Sequence, residues 1–100
     1  MAEVKEQVVP EIHEHISRLG GAYRSWYVGI AADPQARLFR DHGVDERSSA
    51  WIFRECESVE VARQVEDLFV RVLGADGGPS GGDATARWVY AYRKTLGTRP

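Results

Sequence analysis

Hydrophobic positions recur at helical spacing at the start of the chain: Val4, Val8, Ile12, Ile16 and Leu19 lie three or four apart and would line one face of an amphipathic helix. Gly20 and Gly21 then stop it. Proline fits a helix only near its first turn, so Pro10 predicts a regular helix from about Val9 to Leu19, with residues 1–8 frayed or extended. The pattern changes over Ala22–Ile30 to aromatic and β-branched residues, which read as a strand. Asp33 is a good N-cap and Pro34 a good first residue for a helix whose buried side is Leu38 and Phe39 and which stops at Gly43. After a polar loop, Val44–Ser49, the segment Ala50–Cys56 is a second strand. Ser58 then caps a longer helix through Leu73, with Ala62, Val65, Phe69 and Val72 as its core stripe and Arg63, Asp67 and Arg71 on its solvated face. Four glycines and a proline in Asp76–Asp83 predict a flexible loop, taken as residues 75–86, before a third strand over Arg87–Lys94.

The order helix, strand, helix, strand, helix, strand predicts an α/β or α+β fold with about three strands and about three helices. At 100 residues, one domain spanning residues 1–100 is expected. With 43% hydrophobic and 28% charged residues the composition is that of an ordinary globular chain. A net charge of -2 excludes the global basic signature of a nucleic-acid binder, so any such surface must be local. One cysteine, Cys56, excludes an internal disulfide framework and fits a reducing compartment. No long apolar run predicts a membrane span, and Met1–Lys5 lacks the features of a signal peptide, so the expected location is cytoplasmic, with no membrane partner.

Several side chains could carry chemistry. His13 and His15 sit at i,i+2, which diverges around a helix, whereas paired helical ligands come at i,i+4; they read as surface histidines. Cys56 has no base marked near it and reads as a small, half-buried side chain. The glycine-rich run follows a helix and has no lysine at the offset a phosphate loop needs, so no small-molecule cofactor is expected. Glu66 lies in the row Ala62, Glu66, Phe69, Leu73, at the margin of the apolar face, where a partly desolvated carboxylate can hold a hard divalent cation or simply pair with an arginine such as Arg63. Tyr27 and Gly29 share one strand face, and the missing side chain at Gly29 leaves space for a ligand or for close backbone approach. Arg37, in the first turns of the next helix, could converge with the Tyr27 hydroxyl on an anion; the plainer reading is an aromatic plug beside a surface arginine.

The twelve residues from Tyr27 to Leu38 resemble the second strand and first helix of the GIY-YIG nuclease superfamily, with Tyr27, Val28, Gly29, Ala31, Asp33, Arg37 and Leu38 at the family's motif positions. A later strand, then a helix bearing Glu66, follows the same order. The resemblance implies a small sandwich on a three-stranded, mainly antiparallel sheet, and a metal-dependent endonuclease or phosphodiesterase. Tyr27 would help activate water, Arg37 would stabilise phosphoryl charge, and Glu66 would hold one Mg2+ or Mn2+ ion. His42 lies one residue late for a further family position. The family's first tyrosine strand is not in its usual place: Gly21-Ala22-Tyr23 stands too close to Tyr27 for a hairpin. Either that strand is missing or the C-terminal strand fills its slot, so Tyr23, Tyr90 or Tyr92 would supply the second tyrosine. The family's late asparagine has no counterpart, since the chain contains none. Arg24, Arg37, Arg40 and Arg47 are balanced by Asp33, Asp41, Asp45 and Glu46, so DNA affinity is expected to need a protein partner or a homo-dimer. The alternative is an inactive member serving as a protein- or nucleic-acid-binding module through Trp26, Trp51 and Trp88.

Overall fold

Strand β3, Trp88–Arg93, takes the middle of the sheet because Val89, Tyr90, Ala91 and Tyr92 can all be buried, which lets layers cover both of its faces. The computed structural model describes residues 2–48, 50–77 and 85–99. Strand β1, Trp26–Ala31, and strand β2, Trp51–Glu55, pair antiparallel with β3 on either side, giving the order β1-β3-β2. The fold is therefore mixed α/β with an open, three-stranded antiparallel sheet, the class that the sequence predicts. Strand β1 starts at Trp26, not Ala22, because Tyr23–Ser25 closes a single 3-10 turn through Ser25 N–H to the Ala22 carbonyl (2.9 Å).

Helix α1 spans Lys5–Arg18 with Pro10 inside it, so residues 5–8 are helical and not frayed. Two long-range contacts override the proline. Glu3 bridges to the end of β2 through Glu3 N–H to Glu55 O (2.8 Å) and Glu57 N–H to Glu3 O (3.0 Å), and Val8 is fully buried in the core. Proline still lacks the N–H that an interior position would donate. Pro10→Ala is expected to raise stability by about 2 kcal/mol, the helix-interior penalty less the unfolded-state restriction that proline supplies. Thermal unfolding reads this, and an unchanged or lower melting temperature would contradict it.

Asp33 caps the next helix through Ala36 N–H to its Oδ1 (3.1 Å), and the segment Ala36–Asp41 winds as wide π-type turns. Helix α2, Val59–Asp67, is capped by the Ser58 hydroxyl accepting from Val61 N–H at 3.1 Å. It widens in the same way over Leu68–Val72, where Leu73 N–H reaches Leu68 O (3.0 Å). That widening turns Val72 off the predicted core stripe, leaving it 70% exposed, while Ala62, Val65 and Phe69 are buried as the spacing predicts. Arg71 and Asp67 pair across the outer face at 3.3 Å.

Two apolar layers result. Trp26, Val28, Ile30, Ile52, Val89 and Ala91 meet α1 and α2 through Val8, Ile12, Ile16, Ala62, Val65 and Phe69. On the opposite face Tyr27, Ala31, Tyr90 and Tyr92 meet Leu38 and Val44. The outer edge of β1 is covered by Asp76, whose N–H donates to Trp26 O (2.8 Å) and whose carbonyl accepts from Val28 N–H (2.9 Å). The start of the predicted flexible loop is thus pinned to the sheet, and its residues 78–84 lie outside the described residues. Among the described residues no helix is long and apolar enough to cross a membrane.

Candidate active site

Side chains alternate along a strand, so Tyr27, Gly29 and Ala31 share a face with Tyr90 and Tyr92. The register sets Gly29 beside Tyr90 and Tyr27 beside Tyr92. A Cβ on Gly29 would lie 2.6 Å from Tyr90 Oη and 2.7 Å from its Cζ. The space that the sequence offers at Gly29 is therefore filled by the Tyr90 phenol. The Tyr27 ring stacks on Tyr92 and Tyr90 at centroid distances of 5.3 Å and 6.3 Å and tilts against His42 at 4.7 Å.

His42 follows the short helix, is only 4% exposed, and is bonded on both ring nitrogens. Its Nε2 lies 2.8 Å from Tyr90 Oη and its Nδ1 lies 2.6 Å from the Arg99 carbonyl. Burial holds its pKa below the ordinary imidazole value, with the nearby Arg37 charge acting in the same direction. Burial also pushes the Tyr90 phenol up to about 12, against the pull of Arg37. Tyr92 is raised by burial as well. A raised folded-state pKa supports the fold below the unfolded value of 10.0 and loses that support as pH climbs through about 12. Stability should begin to fall near pH 9, where the Cys56 thiol, raised by burial from 9.0 to about 11, starts to ionise in the unfolded chain, and should fall more steeply above pH 10, where the fall should be shallower in Tyr90→Phe. Urea midpoints measured against pH check this; an equal fall in both proteins would contradict it.

Arg37 reaches toward the same phenol, and both its charge and a hydrogen bond favour ionised Tyr90. Its Nε is buried with no hydrogen-bond partner among the described residues, although Asp41 Oδ2 stands at ion-pair distance, 3.5 Å. The Asp41 carboxyl is held below its usual pKa, first by its hydrogen bond with Arg40. A cleft of about 250 Å³ opens here between Ala31, Asp33, Arg37 and Arg40.

Glu66 stands on α2, which packs against the other face of the sheet, and lines a second cleft of about 430 Å³ with Ile30, Arg63 and Asp67. Burial raises its carboxyl pKa, Asp67 adds to the rise and Arg63 opposes it. Arg37 and Glu66 thus line adjacent clefts at the C-terminal end of β1 rather than a single one, while both charges act on the Tyr90 hydroxyl. A half-buried carboxylate suits a hard cation that takes most of its shell from water and phosphate oxygens, since an ion would restore the charge that burial disfavours. Among the described residues no group of three or more His, Cys, Asp or Glu side chains could cage a metal ion.

Tyr23 is not brought to this cluster. It lies on the α1 side of the sheet, where its hydroxyl bonds His13 Nδ1 and its ring packs on His13 (5.8 Å) and Phe69 (5.9 Å). The short turn before β1 ends the strand pattern that would have aligned Tyr23 with Tyr27. His15 meets the edge of Trp26. Cys56 is fully buried and its thiol is pushed up to about 11 by burial, so it is no nucleophile near neutral pH. Tyr90 and Tyr92, the alternatives to Tyr23, stand in the cluster in its place, and nothing in the sequence marks Arg99 as their neighbour. One signal pointed to Tyr90, namely a glycine in an otherwise bulky strand, which invites a large side chain from the neighbouring strand. Compared with protein-family models, with curated proteins and with solved structures, the chain has no match in any of the three.

Proposed function

We propose that this chain is a GIY-YIG-like domain with divalent-metal-dependent phosphodiesterase chemistry, an endonuclease acting on nucleic acid in a reducing, cytoplasmic setting. In this reading β3 occupies the slot of the family's first tyrosine strand, and Tyr90 is the second tyrosine beside Tyr27. The observation that carries it is the meeting of Tyr27, His42 and Arg37 at one phenol, Tyr90.

The Arg37 guanidinium, which lines the cleft, supplies charge and hydrogen bonds for a phosphoryl group as negative charge builds on its oxygens. A Mg2+ or Mn2+ ion held by Glu66 would supply Lewis-acid stabilisation of the leaving oxygen. With a pKa of about 12, Tyr90 is ionised to roughly one part in 10⁵ at neutral pH, so a standing phenolate is not the base. Tyr90 instead accepts the proton of the attacking water as it passes its own along the 2.8 Å path to His42 Nε2, while Tyr27 orients that water. A nucleic-acid strand laid across the end of β1 at Ile30–Ala31 would touch both clefts. Affinity for duplex is left to a protein partner or a second copy, because the arginines here are largely paired with acids.

Cleavage of labelled single-stranded, duplex and branched DNA with magnesium or manganese tests the reading, comparing wild type with Arg37→Ala and Glu66→Ala. A second reading, a non-catalytic binding module, is favoured by a row of half-exposed rings. Phe39, Trp51, Phe53 and Trp88 follow one another at centroid distances of 5.0, 5.7 and 5.7 Å across the Tyr27 face. Trp26, by contrast, is core. Binding without cleavage on every substrate would select this second reading.

A further inference from the structure

Beyond β3 the chain reverses in a hydroxyl-braced turn. Thr98 Oγ1 donates to Thr95 O (3.0 Å) and accepts from Thr95 N–H (3.0 Å), while Thr98 N–H also reaches Thr95 O (3.2 Å). The reversal lays Arg99 against His42, where the two residues bond each other twice. Arg99 N–H donates to the His42 carbonyl (2.7 Å), and His42 Nδ1 meets the Arg99 carbonyl (2.6 Å). The Arg99 guanidinium adds a bond to Arg40 O at 3.3 Å. Gly43 makes room for this strap: it sits at φ +70°, and a Cβ there would come within 3.3 Å of both Gly97 O and Arg99 Nη1.

A carbonyl oxygen only accepts, so His42 Nδ1 must carry the hydrogen that bonds Arg99 O. The Tyr92 hydroxyl, 3.2 Å from the same carbonyl and 3.1 Å from Nδ1, adds a second donor to Arg99 O and leaves that assignment in place. A neutral imidazole has one N–H, so Nε2 is left with a bare lone pair and the Tyr90 hydroxyl must donate to it across 2.8 Å. We infer that the strap Thr95–Arg99 is a positioning element that fixes the tautomer of His42 and thereby makes Nε2 the proton acceptor for Tyr90. The catalytic consequence rests on the phosphodiesterase reading; the tautomer itself does not.

Nitrogen-15 NMR of the histidine side chains in the full chain tests it without any substrate. In wild type, His42 should show a protonated, pyrrole-type Nδ1 and an unprotonated, pyridine-type Nε2. Arg99→Ala keeps the backbone carbonyl and should keep that pattern. Arg99→Pro deletes the N–H that holds His42 O and shifts the carbonyl, so the two nitrogen signals should move toward each other as both tautomers become populated. Thr98→Ala, which loosens only the turn, should shift them in the same sense and carries the test if the proline variant does not fold. A wild-type His42 protonated on Nε2, or a wild-type pattern persisting in both strap variants, overturns the inference. DNA cleavage measured on the same samples separates the two ideas: the expected tautomer in a chain that cleaves nothing sinks the nuclease reading and leaves the strap standing.

Discussion

Gly29→Ala is expected to lower the melting temperature by roughly 10–20 °C, the shift that about 3 kcal/mol produces in a domain of this size. The methyl group would sit 2.6 Å from Tyr90 Oη and 2.7 Å from Cζ, distances that real Cβ atoms do not tolerate. Tyr90 is 1% exposed and boxed in by Tyr27 and His42, so its ring cannot swing away freely. Overpacking of this kind costs about 1–3 kcal/mol. Displacing the phenol also breaks its bond to buried His42 Nε2, and an unsatisfied buried group adds about 1–3 kcal/mol. The two residues should therefore be strongly coupled. In a Tyr90→Leu background, where the ring atoms that clash are gone, Gly29→Ala should cost far less than in wild type. Thermal unfolding of the two single variants and the double variant measures this coupling. Additive losses would mean that the glycine serves the strand and not the phenol.

Tyr90→Phe is expected to cut the cleavage rate by about 10²–10⁴-fold, the usual worth of a positioned proton-transfer group. Stability at neutral pH should change much less. The ring stays packed, so the cost is that of leaving the buried His42 Nε2 without its donor, about 1–3 kcal/mol. Two outcomes separate chemistry from architecture. A folded Tyr90→Phe protein with its rate intact removes Tyr90 from the mechanism. A parallel loss in Tyr92→Phe would show that the hydroxyl network holding His42, and not the Tyr90 proton, is what matters, because Tyr92 donates to Arg99 O and takes no proton from Tyr90.

The segments themselves were legible because each carried its own punctuation. Asp33 and Ser58 announced helix starts that their cap hydrogen bonds realise, and the alternation in Arg87–Lys94 announced β3. What short-range patterning could not supply was decided by distant partners. Glu3 bonds the end of β2, over fifty residues away along the chain, and so holds α1 helical upstream of Pro10. The π-type widening of two helices, which rotates Val72 out of the stripe and carries His42 under Tyr90, leaves no periodic trace in the sequence.

The site was half legible for the same reason. Tyr27, Gly29 and Arg37 lie within one strand and helix whose geometry the sequence dictates, so their mutual placement could be anticipated. Tyr90 enters only through sheet order, and Arg99 only through a turn in which the Thr98 hydroxyl bonds the Thr95 backbone. Glu66 was expected at the margin of its helix, and it is half-buried there. Its cleft, however, is set by how α2 crosses the sheet, which places it around the end of β1 from Arg37.

The measurement that bears most directly on the account is the rate of magnesium- or manganese-dependent cleavage of labelled DNA by wild type, Arg37→Ala and Glu66→Ala, each confirmed as folded. Wild type is expected to cleave in a reaction that chelation abolishes, and each substitution is expected to lower the rate by about 10²–10³-fold, as when a charge stabilising the transition state is removed. Cleavage that survives both substitutions, or no cleavage of single-stranded, duplex or branched DNA by wild type, would contradict it.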